Sequence, residues 1–258
     1  MAIALITGAS KGIGKAIAEE LAKRKTDVLL IARSEHLLKE ITQSLHTAYG
    51  INADYLALDL ASEGAAKKIY SWCHEKNYNI NMLINNAGYG LSGHFENHTL
   101  EQHLDVMKVN MSIIVELCFY FLPTLRQQKK SYILNIASQA SFQAVPGLNI
   151  YAASKAFLQS FSRGLRYELR NTSVSVTVAC PGSTDTDFAN RAMVGSKALK
   201  TAKTFNMSAP KVAEAAINAM FSEKTETTIG LINKLGKFLV WLMPKGMSEK
   251  AAGNIYEV

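Results

Sequence analysis

Tyr151 and Lys155 stand four residues apart in the stretch YAASK, a spacing that places both on one face of a helix. A phenol is a poor acid–base catalyst near neutrality, because its ordinary pKa is about 10. A neighbouring ammonium favours the phenolate and is expected to lower that value. Tyr151 can then donate a proton to a carbonyl oxygen, or remove one from an alcohol. Ser138 ends the run YILNIAS thirteen residues upstream and can hydrogen-bond the same oxygen, holding the substrate in place. Taken singly, these residues also have ordinary roles: a surface lysine, a turn-forming serine and, within KVNMS, a polar Asn110 that bends a helix.

The elements that must position these side chains alternate along the chain. Short apolar runs at Ile3–Ile6, Val28–Ala32, Tyr55–Leu58, Met82–Ile84, Tyr132–Ile136 and Val174–Ala179 read as strands. Stretches with helical spacing lie between them: Gly12–Lys23, Glu35–Tyr49, Glu63–Lys76, Leu100–Leu125 and Tyr151–Arg170. Strands apolar on both faces and separated by helices predict an α/β fold, a Rossmann-type doubly wound parallel sheet covered on both sides. No linker or composition shift divides the 258 residues, so a single domain over 1–258 is expected. A long irregular stretch, about 183–207, is predicted to be a substrate lid. Ser208-Ala209-Pro210 then signals a further helix start.

In a doubly wound sheet, ligands sit beyond the carboxyl ends of the strands. There the first strand runs into LITGASKGIG, with Gly8, Gly12 and Gly14. Glycines remove the Cβ atoms that would keep a pyrophosphate off the backbone, and the following helix aims unpaired N–H groups at the same place. By itself such a loop is weak support, since many glycine-rich turns merely join a strand to a helix. NNAG, after the fourth strand, adds small residues and amides that can line a nucleotide's ribose.

TGASKGIG, Asp59, NNAG, Asn110, Ser138, YxxxK and Pro181-Gly182 follow one another in this order over nearly the whole chain. Together they resemble the short-chain dehydrogenase/reductase family, in its single-domain branch. The resemblance implies a catalytic set of Asn110, Ser138, Tyr151 and Lys155. Lys155 would also bind the nicotinamide ribose, and Asn110 would hold a water linking Lys155 to solvent. It implies cofactor contacts from Gly8, Ser10, Lys11, Gly12, Ile13 and Gly14 in the loop, and from Asn86, Ala87 and Gly88. Asp59 and Leu60 would flank the adenine, while Pro181, Gly182, Thr184 and Thr186 would meet the nicotinamide end. Two departures from the family pattern stand out: Gln139 where a small residue is common, with Ser141 close by, and Thr184 where Val or Ile is common.

Charge points to the form of the cofactor. The second strand ends LLIARS, offering Arg33 and no acid before Glu35, and Lys11 lies inside the glycine loop. Arginine makes bidentate contacts with phosphate, whereas a carboxylate there would repel a 2′-phosphate. NADP(H) is therefore expected, with a small-molecule carbonyl/alcohol pair as substrate.

Other classes receive less support. The net charge of +7 is scattered, with no basic run longer than the three residues Lys23-Arg24-Lys25, so no nucleic-acid partner is expected. Three distant cysteines imply neither a disulfide framework nor a thiolate metal site. His94 and His98 lack a third ligand, and no metal is expected. No signal peptide and no apolar run of spanning length is seen, so a cytoplasmic protein is expected. LINKLGKFLVWLMPKG, Leu231–Gly246, opens an apolar and basic C-terminal extension, about 231–258. It suits a core or subunit contact, a roof over a lipophilic substrate, or peripheral contact with a membrane surface. By resemblance, Leu100–Leu125 and Tyr151–Arg170 would pair in a homodimer or homotetramer. The rival readings are a catalytically idle NADP(H)-binding sensor or scaffold and a membrane-surface binding protein.

Overall fold

The structure, a computed structural model, describes residues 2–204 and 206–257; Met1, Val258 and Phe205, the last inside the predicted lid, lie outside them. The chain begins β1 (Ile3–Thr7), α1 (Gly12–Lys23), β2 (Asp27–Ala32), α2 (Glu35–Tyr49), β3 (Ala53–Ala57), α3 (Ala65–Glu75) and β4 (Met82–Asn85). It continues with α4 (Leu100–Met107), a π-helical turn (Lys108–Ser112), α5 (Ile113–Gln127), β5 (Ser131–Ile136), a 3₁₀ turn (Gln139–Phe142), α6 (Asn149–Glu168) and β6 (Val174–Pro181). After these come β7 (Thr184–Asp185), α7 (Phe188–Arg191), α8 (Ser196–Thr204), β8 (Met207–Ser208) and α9 (Ala209–Phe221). The last elements are β9 (Glu226–Ile229), α10 (Leu231–Leu242) and α11 (Lys245–Tyr256).

Seven strands form one parallel sheet in the order β3-β2-β1-β4-β5-β6-β9. All six residues of β2 and all eight of β6 are buried, as a sheet covered on both faces requires. On one face Ile17, Leu21, Leu38, Leu45, Val212 and Ile217 bring α1, α2 and α9 onto the strands. On the other, Ile69, Ile113, Leu117, Phe121 and Leu158 do the same for α3, α5 and α6. The strand order reverses between β1 and β4, so their carboxyl ends splay apart and open a crevice.

Several sequence expectations are corrected. The segment predicted to be irregular contains α7 and α8, and β9 adds an unpredicted edge strand. The helix expected over Leu100–Leu125 carries the π-helical turn in its middle. Contrary to the expectation of no span-length apolar run, Leu100–Gln127 is a 28-residue helical stretch apolar enough by composition to cross a bilayer. Its Ile113, Leu117, Phe121 and Leu125 are buried against the sheet, as in a core helix.

Candidate active site

The site lies at the β1/β4 crevice and is built from backbone first. Gly8 has φ +67° and Gly12 φ +54°, a left-handed region that costs an L side chain strain and glycine almost none. A Cβ on Gly14 would collide with the Gly8 carbonyl and with Asn86 Nδ2, so only glycine lets α1 start this close to β1. Asn86 holds the cradle together. Its Nδ2 donates to the carbonyls of Thr7 at 2.9 Å and Gly8 at 3.2 Å. The N–H groups of Asn86 and Ala87 donate to Thr7 Oγ1, each at 3.1 Å. The amide predicted as a cofactor contact thus spends its donors on the loop, shaping it for a ligand.

Tyr151 and Lys155 project from one side of α6 toward the end of β5. Lys155 is 3% exposed; its Nζ donates to the Ile136 carbonyl at 2.9 Å and lies 5.7 Å from the centre of the Tyr151 ring. Burial pushes the Lys155 pKa down to about 8. Tyr151 departs from the expectation that its pKa would fall. Burial pushes it up to about 12, and a hydrogen bond with Ser138 opposes that only in part. The reason is desolvation: a phenolate in this site loses more hydration than its hydrogen bond returns. At neutral pH the phenol therefore keeps its proton, the form a proton donor needs.

Asn110 is completely buried in the π-helical turn. Its Nδ2 donates to the Tyr89 carbonyl and to Ser154 Oγ, both at 2.9 Å, and its Oδ1 accepts from the Tyr89 N–H at 3.1 Å. A Cβ on Gly88 would lie 3.0 Å from Lys155 Nζ and 3.1 Å from Asn110 Oδ1, so glycine is what admits both groups to one spot. Ser138 sits at the mouth of β5 as the cap of the 3₁₀ turn, its Oγ accepting from the Ala140 N–H at 3.1 Å. Ser141 is turned away: its hydroxyl donates to the Ser138 carbonyl at 2.6 Å.

The segment after β6 folds over this floor. Thr184 Oγ1 donates back to the Gly182 carbonyl at 3.1 Å. Thr186 stands over Gly12, 2.9 Å from where a Cβ would be. Phe188 places its ring 5.0 Å from that of Tyr151, and Lys11 pairs with Asp187 at 3.5 Å. At the far end Arg33 pairs with Asp59 at 3.9 Å. Leu60 is buried beside them.

The sequence profile described as "short chain dehydrogenase" matches residues 2–195. The chain belongs to the short-chain dehydrogenase family. It is 30% identical over 226 residues to the ketoacyl reductase HetN of Nostoc sp., covering 87% of this chain and 77% of that protein. It is 34% identical over 182 residues to hydroxysteroid dehydrogenase-like protein 1 of Gallus gallus. That match takes in 69% of this chain and 54% of the relative, so the chain spans about half the relative's length. A short-chain dehydrogenase from Sphingobium yanoikuyae, solved in complex with NADPH, superposes with a TM-score of 0.82 at 28% identity, over 95% of this chain and 96% of that one.

Three residues of this short-chain dehydrogenase escaped sequence reasoning. Ser154, inside YAASK itself, receives the Asn110 amide and donates to the Tyr151 carbonyl at 2.7 Å. Its place between the two singled-out residues was a readable signal. Arg191 of α7 lies over the Tyr89 ring at 4.4 Å. Burial lowers its pKa, and so does the charge of Arg33. Asn233 of α10 sits against Gly182, where a Cβ would collide with its amide. Neither of the last two had a local signal, because long-range folding brings them in.

Proposed function

We propose that this short-chain dehydrogenase is an NADP(H)-dependent carbonyl reductase that moves hydride between NADP(H) and a lipophilic ketone or its alcohol. The observation that carries the reading is the meeting of Tyr151, Ser138, Lys155 and Asn110 beside a cradle that tolerates only glycine. The cradle suits a pyrophosphate: Gly8, Gly12 and Gly14 clear the backbone, and the start of α1 presents N–H groups. Ser10, Lys11 and Ile13 would complete that contact. Arg33, Lys11 and Arg191 favour the phosphorylated cofactor, since burial and the neighbouring charge of Arg33 lower the Arg191 pKa, and two guanidiniums this near each other make an anion site. Asp59 and Asp187 temper this charge without cancelling it. A relative named as a ketoacyl reductase and a neighbour holding NADPH support the same reading.

The crevice would hold a reduced nicotinamide, which when bound would supply the hydride. Tyr151 donates its phenolic proton to the carbonyl oxygen, and Ser138 hydrogen-bonds that oxygen and orients it. The charge left on Tyr151 is met by the nearby Lys155 ammonium, whose position the Ile136 carbonyl fixes. Asn110 holds the Tyr89 backbone and Ser154 so that Gly88, Lys155 and the phenol keep their places. Residues 183–207 act as the substrate lid, with Thr184 and Thr186 beside Pro181 and Gly182 at the nicotinamide end. Exposed Phe119 of α5 and Tyr167 of α6 suit pairing with a second copy.

Fluorescence titration with NADPH and NADH, followed by a ketone panel, tests the reading. Tighter NADPH binding and turnover of bulky ketones are expected. Tighter NADH binding would overturn the cofactor assignment, NADPH binding without turnover of any ketone would return the chain to an idle scaffold, and binding of neither would overturn the dinucleotide reading itself.

A further inference from the structure

Helix α10 is mounted with its apolar side outward. Leu231 is 83% exposed, Trp241 78% and Leu242 64%, and Leu235, Phe238 and Leu239 share the same outward arc. Its inward side is the polar one. Asn233 is buried, donating its Nδ2 to the Ile229 carbonyl at 2.6 Å. Lys237 is paired with the Glu226 carboxylate and lies over the Phe142 ring at 4.5 Å. Gly236 faces Gln139, whose Nε2 would be 2.7 Å from a Cβ there. These contacts lock the rotation of the helix, so its apolar arc cannot roll inward. A water-exposed helix normally shows the opposite arrangement.

We propose that α10 docks this protein onto an anionic lipid surface. Charge chooses the occupant. Leu231–Gly246 contains three lysines and no acidic residue. Lys234 and Lys245 are exposed on and beside the apolar arc, whereas Lys237 is engaged by Glu226 and Lys250 of α11 stands next to Glu249. Lipid chains can receive the leucines while anionic headgroups receive the ammonium groups. Trp241 has the amphipathic ring that settles at headgroup depth. A second copy of the arc would instead set lysines against lysines, with no acid in the segment to answer them. The twelve residues of α10 are too few to span a bilayer, so the helix lies in the surface. Because α10 also rests on the 3₁₀ turn that follows Ser138, docking turns that side of the site toward lipid. This orientation matters for substrate only if the carbonyl-reductase reading holds; the docking itself does not depend on it.

Flotation of the intact protein with vesicles of equal parts phosphatidylglycerol and phosphatidylcholine, and with phosphatidylcholine alone, tests the proposal. Wild-type protein is expected to float with the anionic vesicles and to be released as salt rises. The double variant Leu235→Glu, Trp241→Glu should float at least about tenfold less, because each new carboxylate opposes both insertion and headgroup attraction. Its NADPH titration should be unchanged, which separates loss of docking from loss of fold and from failure of the cofactor reading. Wild-type protein that stays at the bottom of the gradient overturns the proposal. So does a stable dimer that the double variant converts to monomer without changing flotation, which would assign the arc to a second copy.

Discussion

Lys155 Nζ is anchored to the Ile136 carbonyl at 2.9 Å and stands 5.7 Å from the centre of the Tyr151 ring. The strand end, and not the tyrosine, therefore sets where the ammonium sits. Tyr151 can lose its hydroxyl without releasing Lys155. Tyr151→Phe should lower ketone reduction by about 10²-fold or more, the usual worth of a positioned general acid, with NADPH affinity within about twofold of wild type. Retention of near-full turnover would remove Tyr151 as the proton donor.

The buried lysine also makes stability depend on pH, with a definite sign. Its folded pKa, about 8, lies below the ordinary 10.5. Between these values the unfolded chain binds more protons, so the Lys155 contribution to stability rises with pH. Below about pH 8 the burial penalty is fully present, on the order of 3 kcal/mol from the shift alone. Lys155→Met should therefore raise the melting temperature near neutrality while abolishing turnover, and the gain should shrink as pH climbs past about 8. Tyr151 acts in the opposite sense only above its ordinary value of 10, since its folded pKa is raised to about 12. A gain that is flat across this range would show that the ammonium is better solvated than its burial implies.

A cradle glycine that needs space can be set against a glycine elsewhere that needs only backbone freedom. Gly14→Ala forces a Cβ into backbone and an amide, and should cost roughly 3 kcal/mol or more with loss of NADPH binding. Gly50→Ala, at the left-handed end of α2 with open space around it, should cost only about 1 kcal/mol and leave titration curves unchanged. Chemical denaturation of both variants makes the comparison.

Arg33 and Arg191 should act together on a phosphate. Either one changed to Ala should weaken NADPH binding by about tenfold or more, the worth of a charge-assisted hydrogen bond, and NADH binding far less. Side-by-side titrations of the two variants read this directly. Equal losses for both cofactors would mean that neither guanidinium meets the 2′-phosphate.

Much of the site was legible because its signals are local. The glycine spacing, YAASK and the strand carrying Ser138 each declare themselves within a few residues. Strands such as β2 and β6, apolar on both faces, declared the sheet. The edge strand β9 did not, since its four residues ETTI carry a glutamate and two threonines that only the neighbouring β6 draws into register. The π-helical turn was hidden because KVNMS keeps ordinary helical composition; the Tyr89 backbone and Ser154 hold Asn110 inward. Arg191 and Asn233 depend on contacts across the fold. The apolar character of α10 was plain in sequence, but which side faces out is decided by Glu226 and Gln139.

The turn at Lys108–Ser112 behaves like a key in a shaft. If these five residues relaxed to regular α-helical hydrogen bonding without losing a residue, α5 would rotate by about 100° relative to α4. Leu117 and Phe121 would then swing off the sheet, so their burial acts together with the Tyr89 and Ser154 hydrogen bonds in keeping Asn110 turned inward. The torque on the site is borne by core residues remote from the chemistry. Loosening the core, as Phe121→Ala would, is therefore a way to detune the site before the fold is lost.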